Sequence, residues 1–464
     1  MSSSDDTENG SARARFFHYA TAGMTNRGGA EHRLERISRL LHDPRMEPMR
    51  RTALIRGILL FTNYFLIIAA LYQLKPASRS IFIEQVGSEH LPYVWIATAI
   101  SLALIISLYN RLVARFSRMH VVIGTVAILI SLLGLFRLLL NAPTQVTAFA
   151  FYIFVDILSV ILVEQFWSLT NSINSEQDGH RWYALIGTGG LLGGVLGGIG
   201  AHALITYAAM NTLDLLLVAA TILLLLMALT LLMQRCGLYH EQSTAAHERH
   251  VDSGFWRTII GNRYLTLIAA LLLLSQIIEP LVEFQFMHAV EAAYGDREAR
   301  TAYLGSFFSL LSGVAIAINL ILTPLIHRWL GAIAGLAMQP LSVAVSTMFF
   351  IANPTLLTAA TLKIADRGLS YSINRASKEL LYIPIDAVLI FQAKAWIDMF
   401  GYRVFKILGS VMILLLTQWL WFTVSVPATG WLSLIICITW MAVLVGVKRE
   451  YRKVSRHSLN NTDR

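Results

Sequence analysis

The stretch from Thr212 to Met233 reads TLDLLLVAATILLLLMALTLLM and decides how the whole chain is interpreted. Asp214, near its start, is its only charged residue. A helix of about 20 apolar residues is long enough to cross the roughly 30 Å hydrocarbon core of a bilayer. The stretch has no period-two alternation, which a strand of a membrane barrel would show. It therefore predicts a transmembrane helix, since helices satisfy their own backbone hydrogen bonds in lipid.

Similar apolar stretches occur throughout the chain. Together they number twelve and fall at roughly 53–73, 91–112, 120–140, 145–168, 183–205, 212–233, 257–286, 302–326, 330–350, 355–375, 400–425 and 430–447. Only 14% of the 464 residues are charged, against about 25% in a typical soluble domain. We therefore predict an all-α polytopic membrane protein with 12 transmembrane helices in two six-helix bundles, which excludes a soluble enzyme and a disordered chain.

The basic residues predict the topology of these helices. Lys and Arg are frequent before the first stretch, in the central gap and after the last stretch, whereas residues 141–144, 206–211, 351–354 and 426–429 contain none. Since basic loops are retained in the cytoplasm, both termini are expected there. Residues 1–50 lack an apolar core and mix acids with arginines, so we expect a tail and not a signal peptide. The predicted order is a cytoplasmic tail (1–50), a first bundle (51–233), a cytoplasmic linker (234–256), a second bundle (257–447) and a basic tail (448–464).

Several classes of chemistry have no support in the sequence. The two cysteines, Cys236 and Cys437, are far apart and exclude a disulfide scaffold or a Cys-based zinc site. No H-E-x-x-H or Walker A motif occurs, and the glycine-rich stretch 187–200 has Leu192 where a dinucleotide fingerprint needs glycine. The net charge of +9 is explained by cytoplasmic loops, so no nucleic-acid partner is expected. We predict no enzyme activity, no metal and no cofactor.

The glycines of stretch 187–200 form two rows with a spacing of four residues. The rows are Gly189, Gly193 and Gly197, and Gly190, Gly194 and Gly198. Small residues at this spacing let membrane helices approach closely. We therefore predict tight helix contacts that allow bundles to slide.

Ionisable residues within apolar stretches mark candidate functional positions, because placing each one at the middle of the membrane costs about 2.5–3.5 kcal/mol of insertion free energy. The fourth stretch contains Asp156 near its middle and Glu164 nearer the cytoplasm, with Glu164 and Asn171 on one helical face. The seventh stretch places Glu279 and Glu283 on one face, around a proline that can loosen the helix. Contacts between helices are the alternative explanation for each of these residues.

Basic residues in two stretches point to an anionic cargo. In the tenth stretch a polar stripe comprises Lys363, Asp366, Arg367, Ser370 and Asn374, and its excess cation should line a watery path or pair with Asp156 or Glu279. The first stretch ends with Lys75 and Arg79 on the non-cytoplasmic side, where the positive-inside rule disfavours them. Attraction of an anion explains this exception. The alternatives are a structural charge cluster for the stripe and contact of Lys75 and Arg79 with lipid headgroups.

Two blocks carry a resemblance to a known family. They are SYSINRASKELLYIPID (370–386) followed by KAWID (394–398), and FWSLTN (166–171) leading to RWYALIG (181–187). Both resemble the ATP:ADP antiporters of plastids and obligate intracellular bacteria, a family distantly similar to the major facilitator superfamily. The resemblance implies a bacterial inner membrane location and assigns substrate contacts to Lys75, Asp156, Glu283, Lys378 and Lys394. Asp156 stands where the exchangers favour Glu.

Three functional hypotheses remain. The first is a secondary transporter that moves an anion by alternating access, with nucleotide exchange as the expected activity. Lys363 and Arg367 would line its cavity, and Lys75 and Arg79 its outer mouth. The second is a proton-coupled transporter of an amphiphilic or organic anion or a lipid, in which Asp156, Glu279 or Glu283 takes the proton. The third is a membrane scaffold or sensor that does not transport. The expected partners of a transporter are a small anionic substrate and the lipid bilayer.

Overall fold

The computed structural model describes residues 46–116, 118–173, 176–238, 261–382, 401–419 and 424–462. The chain divides into two compact units, Met1–Leu59 and Leu60–Arg464. Of the first unit, the structure describes only residues 46–59, which are helical. All regular structure in the described residues is helical, which confirms the all-α prediction.

Twelve helices carry the labels used below. They are α1 (Met46–Gln85), α2 (Leu91–Arg115), α3 (Arg118–Leu139), α4 (Gln145–Ile173), α5 (Glu176–Thr206), α6 (Asp214–Arg235), α7 (Arg263–Ala293), α8 (Arg297–Ala317), α9 (Ala332–Ala352), α10 (Leu356–Leu369), α11 (Tyr402–Leu414) and α12 (Gly430–Thr462). Short 3-10 turns cover Ser88–His90 and Pro427–Thr429. Consecutive helices joined by a few residues are expected to run antiparallel.

Three of these helices continue through a π-helical turn. After α8, the turn Ile318–Leu322 leads into a short helix, Thr323–Trp329. After α10, the turn Ser370–Asn374 leads into Arg375–Tyr382. The turn Leu415–Trp419 follows α11. Because a π turn contains an extra residue, it rotates the side chains that follow it, and such turns are frequent at functional sites.

Ten helices within the described ranges are long and apolar enough to cross a membrane. α10 and α11 are not among them: they are 14 and 13 residues long, and α10 also contains Lys363, Asp366 and Arg367. The polytopic membrane class is thus confirmed, whereas the count of twelve spans remains a prediction. Two helices extend well beyond their predicted ends: α1 continues through Pro76 to Gln85, beyond residue 73, and α12 continues to Thr462, beyond residue 447.

The glycine rows of α5 contact two different helices, as the small-residue spacing predicts. A Cβ atom on Gly189 would lie 2.4 Å from the carbonyl oxygen of Phe61 in α1. A Cβ atom on Gly198 would lie 2.6 Å from the carbonyl oxygen of Gly305 in α8. Both distances are too short for any side chain, so glycine permits α5 to lie against α1 on one side and α8 on the other.

One set of the hydrogen bonds between the first six and the last six helices lies near helix ends, and we call it the cross-bundle network. Other hydrogen bonds between the two sets of helices, Tyr72 with Ser312, Val195 with Ser309 and His202 with Ala302, are not part of it. The described contacts of the network are Ser88 with Glu291 and His288, Glu84 with Arg297, Ser80 with Arg300, Thr212 with Thr301, and Tyr93 with Gln418 and Trp419. They come from the C-terminal ends of α1 and α7, the N-terminal ends of α2 and α8, and the segments that precede α6 and follow α11. In an up-and-down arrangement all these positions lie on one face of the membrane, the face opposite the start of α1.

Candidate functional site: a charged central cavity

A cavity that holds about 680 Å³ of empty space, part of it open to solvent, lies among the first and last six helices. We call it the central cavity. α7 runs beside it. Of the described apolar spans it is the most buried, with 72% of its most apolar part inside the protein. The described residues that line the cavity are Tyr72, Lys75, Arg79, Trp95, Tyr152, Asp156, Glu279, Pro280, Glu283, Phe308, Leu311, Lys363, Arg367, Tyr371 and Lys406.

The lining of the central cavity carries an excess of positive charge. Five of its side chains are Lys or Arg and three are carboxylates, which leaves two positive charges in excess. Five aromatic side chains complete much of the remaining wall. Because charges interact more strongly where water is scarce, this lining attracts anions from solution.

In the first six helices, one ion pair joins α1 to α4. Arg79 Nη2 lies 2.5 Å from Asp156 Oδ1, and the guanidinium sits 4.2 Å from the centre of the Tyr152 ring. Trp95 Nε1 donates a hydrogen bond of 2.9 Å to the Tyr152 hydroxyl. The ring beneath the guanidinium is thereby fixed, and Arg79 is held in place from two directions.

In the last six helices, ion pairs join α7 to α10 and α11. Lys363 pairs with Glu283, and Arg367 pairs with Glu279. Lys406 Nζ lies 3.0 Å from Glu279 Oε1, so that Glu279 is shared by two cations. Each cavity carboxylate therefore has a cation from another helix of its own half.

Lys75 is different from the other four cations of the cavity. Within the described part of the chain, no carboxylate lies within 4.0 Å of its Nζ atom, which is 5.8 Å from the centre of the Tyr72 ring. Its side chain is half-buried. Lys75 therefore offers the cavity a positive charge that forms no ion pair with an acidic side chain of the described residues.

Lys75 and Arg79 occupy a different position from the one predicted. The sequence placed them at the outer mouth, because the first apolar stretch ends just before them. In the structure both line the same cavity as Lys363 and Arg367. The reason is that α1 continues past Pro76, so the two residues lie inside a helix and not at its end.

The polar stripe of α10 faces two directions. Lys363 and Arg367 line the central cavity, whereas Asp366 and Asn374 are buried against α9. There, Gln339 donates a hydrogen bond of 3.1 Å to Asp366 and accepts one of 2.7 Å from Asn374. The π turn between Arg367 and Asn374 changes the register of Asn374, whereas Asp366 precedes the turn and lies about 100° around the helix from its neighbour Arg367.

Four predicted site residues lie elsewhere. Glu164 and Asn171 are exposed outside the cavity lining, and Asn171 accepts a 2.7 Å hydrogen bond from the Tyr183 hydroxyl. Lys378 is half-buried and donates a 2.9 Å hydrogen bond to the Tyr402 hydroxyl. Lys394 lies outside the described residues. The roles assigned to these residues remain predictions.

Sequence reasoning missed Lys406 and the aromatic lining. Lys406 lies within the predicted stretch 400–425, and the insertion cost of a buried lysine was a signal that could have identified it. Tyr72, Trp95, Tyr152, Phe308 and Tyr371 gave no comparable signal. Aromatic residues are frequent in every apolar stretch, so only the packing reveals which of them face the cavity.

Sequence comparison finds one matching family. The model of the family described as "TLC ATP/ADP transporter" matches residues 145–362 and 354–451. The ADP,ATP carrier protein 1 of Rickettsia prowazekii is 27% identical over 239 residues, covering 47% of this chain and 48% of the relative. The ADP,ATP carrier protein 4 of Rickettsia felis is 23% identical over 353 residues, covering 66% and 69%. The chain spans about half the length of the first of these relatives.

Solved structures with the same arrangement of helices are also transporters. The crystal structure of the nucleoside transporter NupG has a TM-score of 0.59 at 13% identity, covering 85% of this chain and 98% of that one. A bacterial homologue of the iron transporter ferroportin, in an inward-facing state, has a TM-score of 0.58 at 16% identity, covering 85% and 98%. At these identities the likeness shows the fold alone, which is similar to that of major facilitator transporters.

Proposed function

We propose that this chain, which belongs to the TLC ATP/ADP transporter family, exchanges nucleotides such as ATP and ADP across a bacterial membrane by alternating access. The observation that carries the proposal is the central cavity, with five cations against three carboxylates in its lining. Phosphate groups are multiply charged and accept several hydrogen bonds at once. Lys and Arg side chains in a cavity shielded from bulk water suit them well.

The unpaired lysine explains why such a transporter would exchange one nucleotide for another. When the cavity closes without cargo, the charge of Lys75 would be enclosed with no acidic partner among the described residues. The effective penalty for burying an unpaired ion is several kcal/mol. A bound phosphate supplies the missing negative charge. Loaded carriers therefore change orientation more readily than empty ones, which is the condition for exchange.

The cations of the cavity must also be able to bind the cargo although most of them already form ion pairs. Arg367 and Lys406 share Glu279, so together they carry one more positive charge than their carboxylate neutralises. A phosphate that binds between Lys75 and this cluster would contact both the first and the last six helices. Cargo binding can then change the contacts of both halves at the same time.

The proposed membrane placement follows from the basic residues. We place both termini in the cytoplasm and the protein in the inner membrane, with bundles at 51–233 and 257–447 joined by the linker 234–256. This placement puts the cross-bundle network on the non-cytoplasmic face. The described contacts then close the cavity on that face, and nucleotide would enter from the cytoplasm.

A proton-coupled transporter of an organic anion or lipid is the second candidate. The sequence offered Asp156, Glu279 and Glu283 as its proton carriers. Each of these carboxylates has a cation partner in the structure, so the observed contacts favour anion exchange over proton carriage by these three residues.

Exchange in proteoliposomes tests the proposal. Purified protein is reconstituted, the vesicles are loaded with ADP or left empty, and uptake of labelled ATP is followed. We expect rapid uptake into ADP-loaded vesicles and little into empty ones. Equal uptake in both would contradict exchange, and no uptake of any nucleotide would exclude nucleotides as cargo.

A further inference from the structure

Asp366 is a buried carboxylate directly behind the central cavity. It is 2% exposed and does not line the cavity. Its Oδ1 atom accepts a hydrogen bond from Gln339 Nε2, whereas its Oδ2 atom receives none from the described residues. The nearest cationic atom in the described structure is Arg367 Nε, 3.9 Å from Oδ2.

The three carboxylates of the cavity provide the contrast. Asp156, Glu279 and Glu283 each form an ion pair with a cation of another helix. A buried ionised carboxylate needs such a partner, or several donors, to offset the loss of water. Asp366 has one amide donor and a distant guanidinium. A proton on Oδ2 would remove its charge and supply a donor in place of a bare acceptor.

The helices packed around Asp366 contribute few other charges. Its own helix supplies Lys363 and Arg367, α7 supplies Glu279 and Glu283, and α12 supplies the Cys437 thiol. α9 contains no ionisable side chain, and Gly368 of α10 faces Val314 of α8 and Ile318 of the π turn that follows it. The π turn after α10 adds the exposed Tyr371. The two cations closest along the chain are thus the same two that line the cavity.

We propose that Asp366 is a proton-binding site coupled to the central cavity, and that it takes up a proton when an anionic cargo engages Lys363 and Arg367. This inference rests on the proposed function. A phosphate bound to these cations neutralises the positive charge that compensates the Asp366 carboxylate. The step forms one O–H bond at Oδ2, takes its proton from water on the open face, and changes no other covalent bond.

The coupling has a consequence with a definite sign. If the loaded protein holds one proton more than the empty protein, linkage requires cargo to bind more tightly as the pH falls. The fully charged nucleotide would then move with a proton. That partly balances the charge of the cargo inside the membrane.

Infrared difference spectroscopy tests the proton site without any cargo. Purified protein in lipid is titrated with acid, and the carbonyl band of protonated carboxylic acids is recorded. We expect a band that is present in the wild type, absent in Asp366→Asn and retained in Asp366→Glu. Glu89→Gln is the control, because this carboxylate has a side chain that is 71% exposed and lies outside the cavity. A band unchanged in Asp366→Asn would overturn the proposal.

Calorimetric titration with ATP tests the coupling. Measured in two buffers of different ionisation enthalpy, binding should be accompanied by uptake of about one proton in the wild type and in Glu89→Gln. Asp366→Asn should bind ATP with no such uptake. The same uptake in Asp366→Asn would overturn the coupling. If ATP does not bind even the wild type, nucleotide exchange fails as a function, while the infrared band still decides whether Asp366 binds a proton.

Discussion

At the scale of single residues, the two halves of the cavity place their cations and carboxylates on opposite members of equivalent helix pairs. In the first half, α1 supplies the cations Lys75 and Arg79, and α4 supplies a carboxylate. In the last half, α7 supplies the carboxylates, and α10 and α11 supply the cations. α1 and α7 occupy equivalent places in a six-plus-six arrangement, as do α4 and α10. Equivalent helices are therefore joined by ion pairs in each half, and in the described part of the first half Lys75 has no carboxylate partner.

Lys75→Gln should weaken nucleotide binding more than any change to a surface lysine. A hydrogen bond to a charged group contributes about 1.5–3 kcal/mol, so we expect the KM for ATP to rise roughly tenfold to hundredfold. The matched control is Lys453→Gln, whose side chain is 67% exposed on α12. ATP uptake by proteoliposomes measures both variants. An unchanged KM in Lys75→Gln would mean that the phosphates bind elsewhere.

The Arg79–Asp156 pair should behave as a coupled unit. Arg79→Gln and Asp156→Asn each leave a charge in a mostly buried setting, since the two side chains are 10% and 19% exposed. We expect each single change to lower thermal stability and the double change to restore part of it, with a coupling energy of roughly 1–3 kcal/mol. Thermal unfolding in lipid nanodiscs provides the measurement, and simple additivity of the two single effects would show that the pair is not coupled.

At the scale of helices, the sequence predicted which residues matter better than it predicted what they contact. The insertion cost of a charge singled out Asp156, Glu279 and Lys363, because it depends on the residue and its depth alone. Their partners depend on which helix faces which, and helical periodicity contains no such information. Periodicity placed Lys75 and Arg79 at a helix end because the apolar stretch ends before the helix does. It also placed Asp366 on one stripe with Lys363 and Arg367, although the neighbours Asp366 and Arg367 lie about 100° apart around the helix.

The contact of α5 with α8 is sensitive to a small change. Gly198→Ala places a methyl group 2.6 Å from the Gly305 carbonyl oxygen, so the two backbones must separate. Overpacking of this kind destabilises by about 1–3 kcal/mol. We expect a lower thermal midpoint and slower ATP exchange.

Gly187→Ala is the control for this change. Gly187 lies on the same helix, and a Cβ atom there would meet nothing within 4 Å. Alanine is the better helix former by about 1 kcal/mol, so this variant should be at least as stable as the wild type. Equal stability of Gly198→Ala and Gly187→Ala would show that the α5–α8 contact tolerates expansion.

At the scale of the whole molecule, alternating access requires the cross-bundle network to break whenever the cavity opens to the opposite face. The network consists of hydrogen bonds and one ion pair, Arg297 with Glu84 at 3.2 Å, whose side chains are 22% and 35% exposed. Ion pairs near the surface contribute about 0–1 kcal/mol, so this pair can break at little cost. Contacts of this strength suit a closure that must be reversible.

Reversing one charge of this pair should shift the equilibrium between the two orientations. Arg297→Glu places two carboxylates opposite each other, which disfavours the closed network, and adding Glu84→Arg restores an attractive pair. The readout is a cysteine introduced at Leu311 in the cavity lining, in a protein whose exposed Cys236 is replaced by serine. An impermeant thiol reagent on the network face should label this cysteine faster in Arg297→Glu than in the wild type, with the rate restored in the double variant. If Arg297→Glu labels at the wild-type rate, the network does not control access to the cavity from that face.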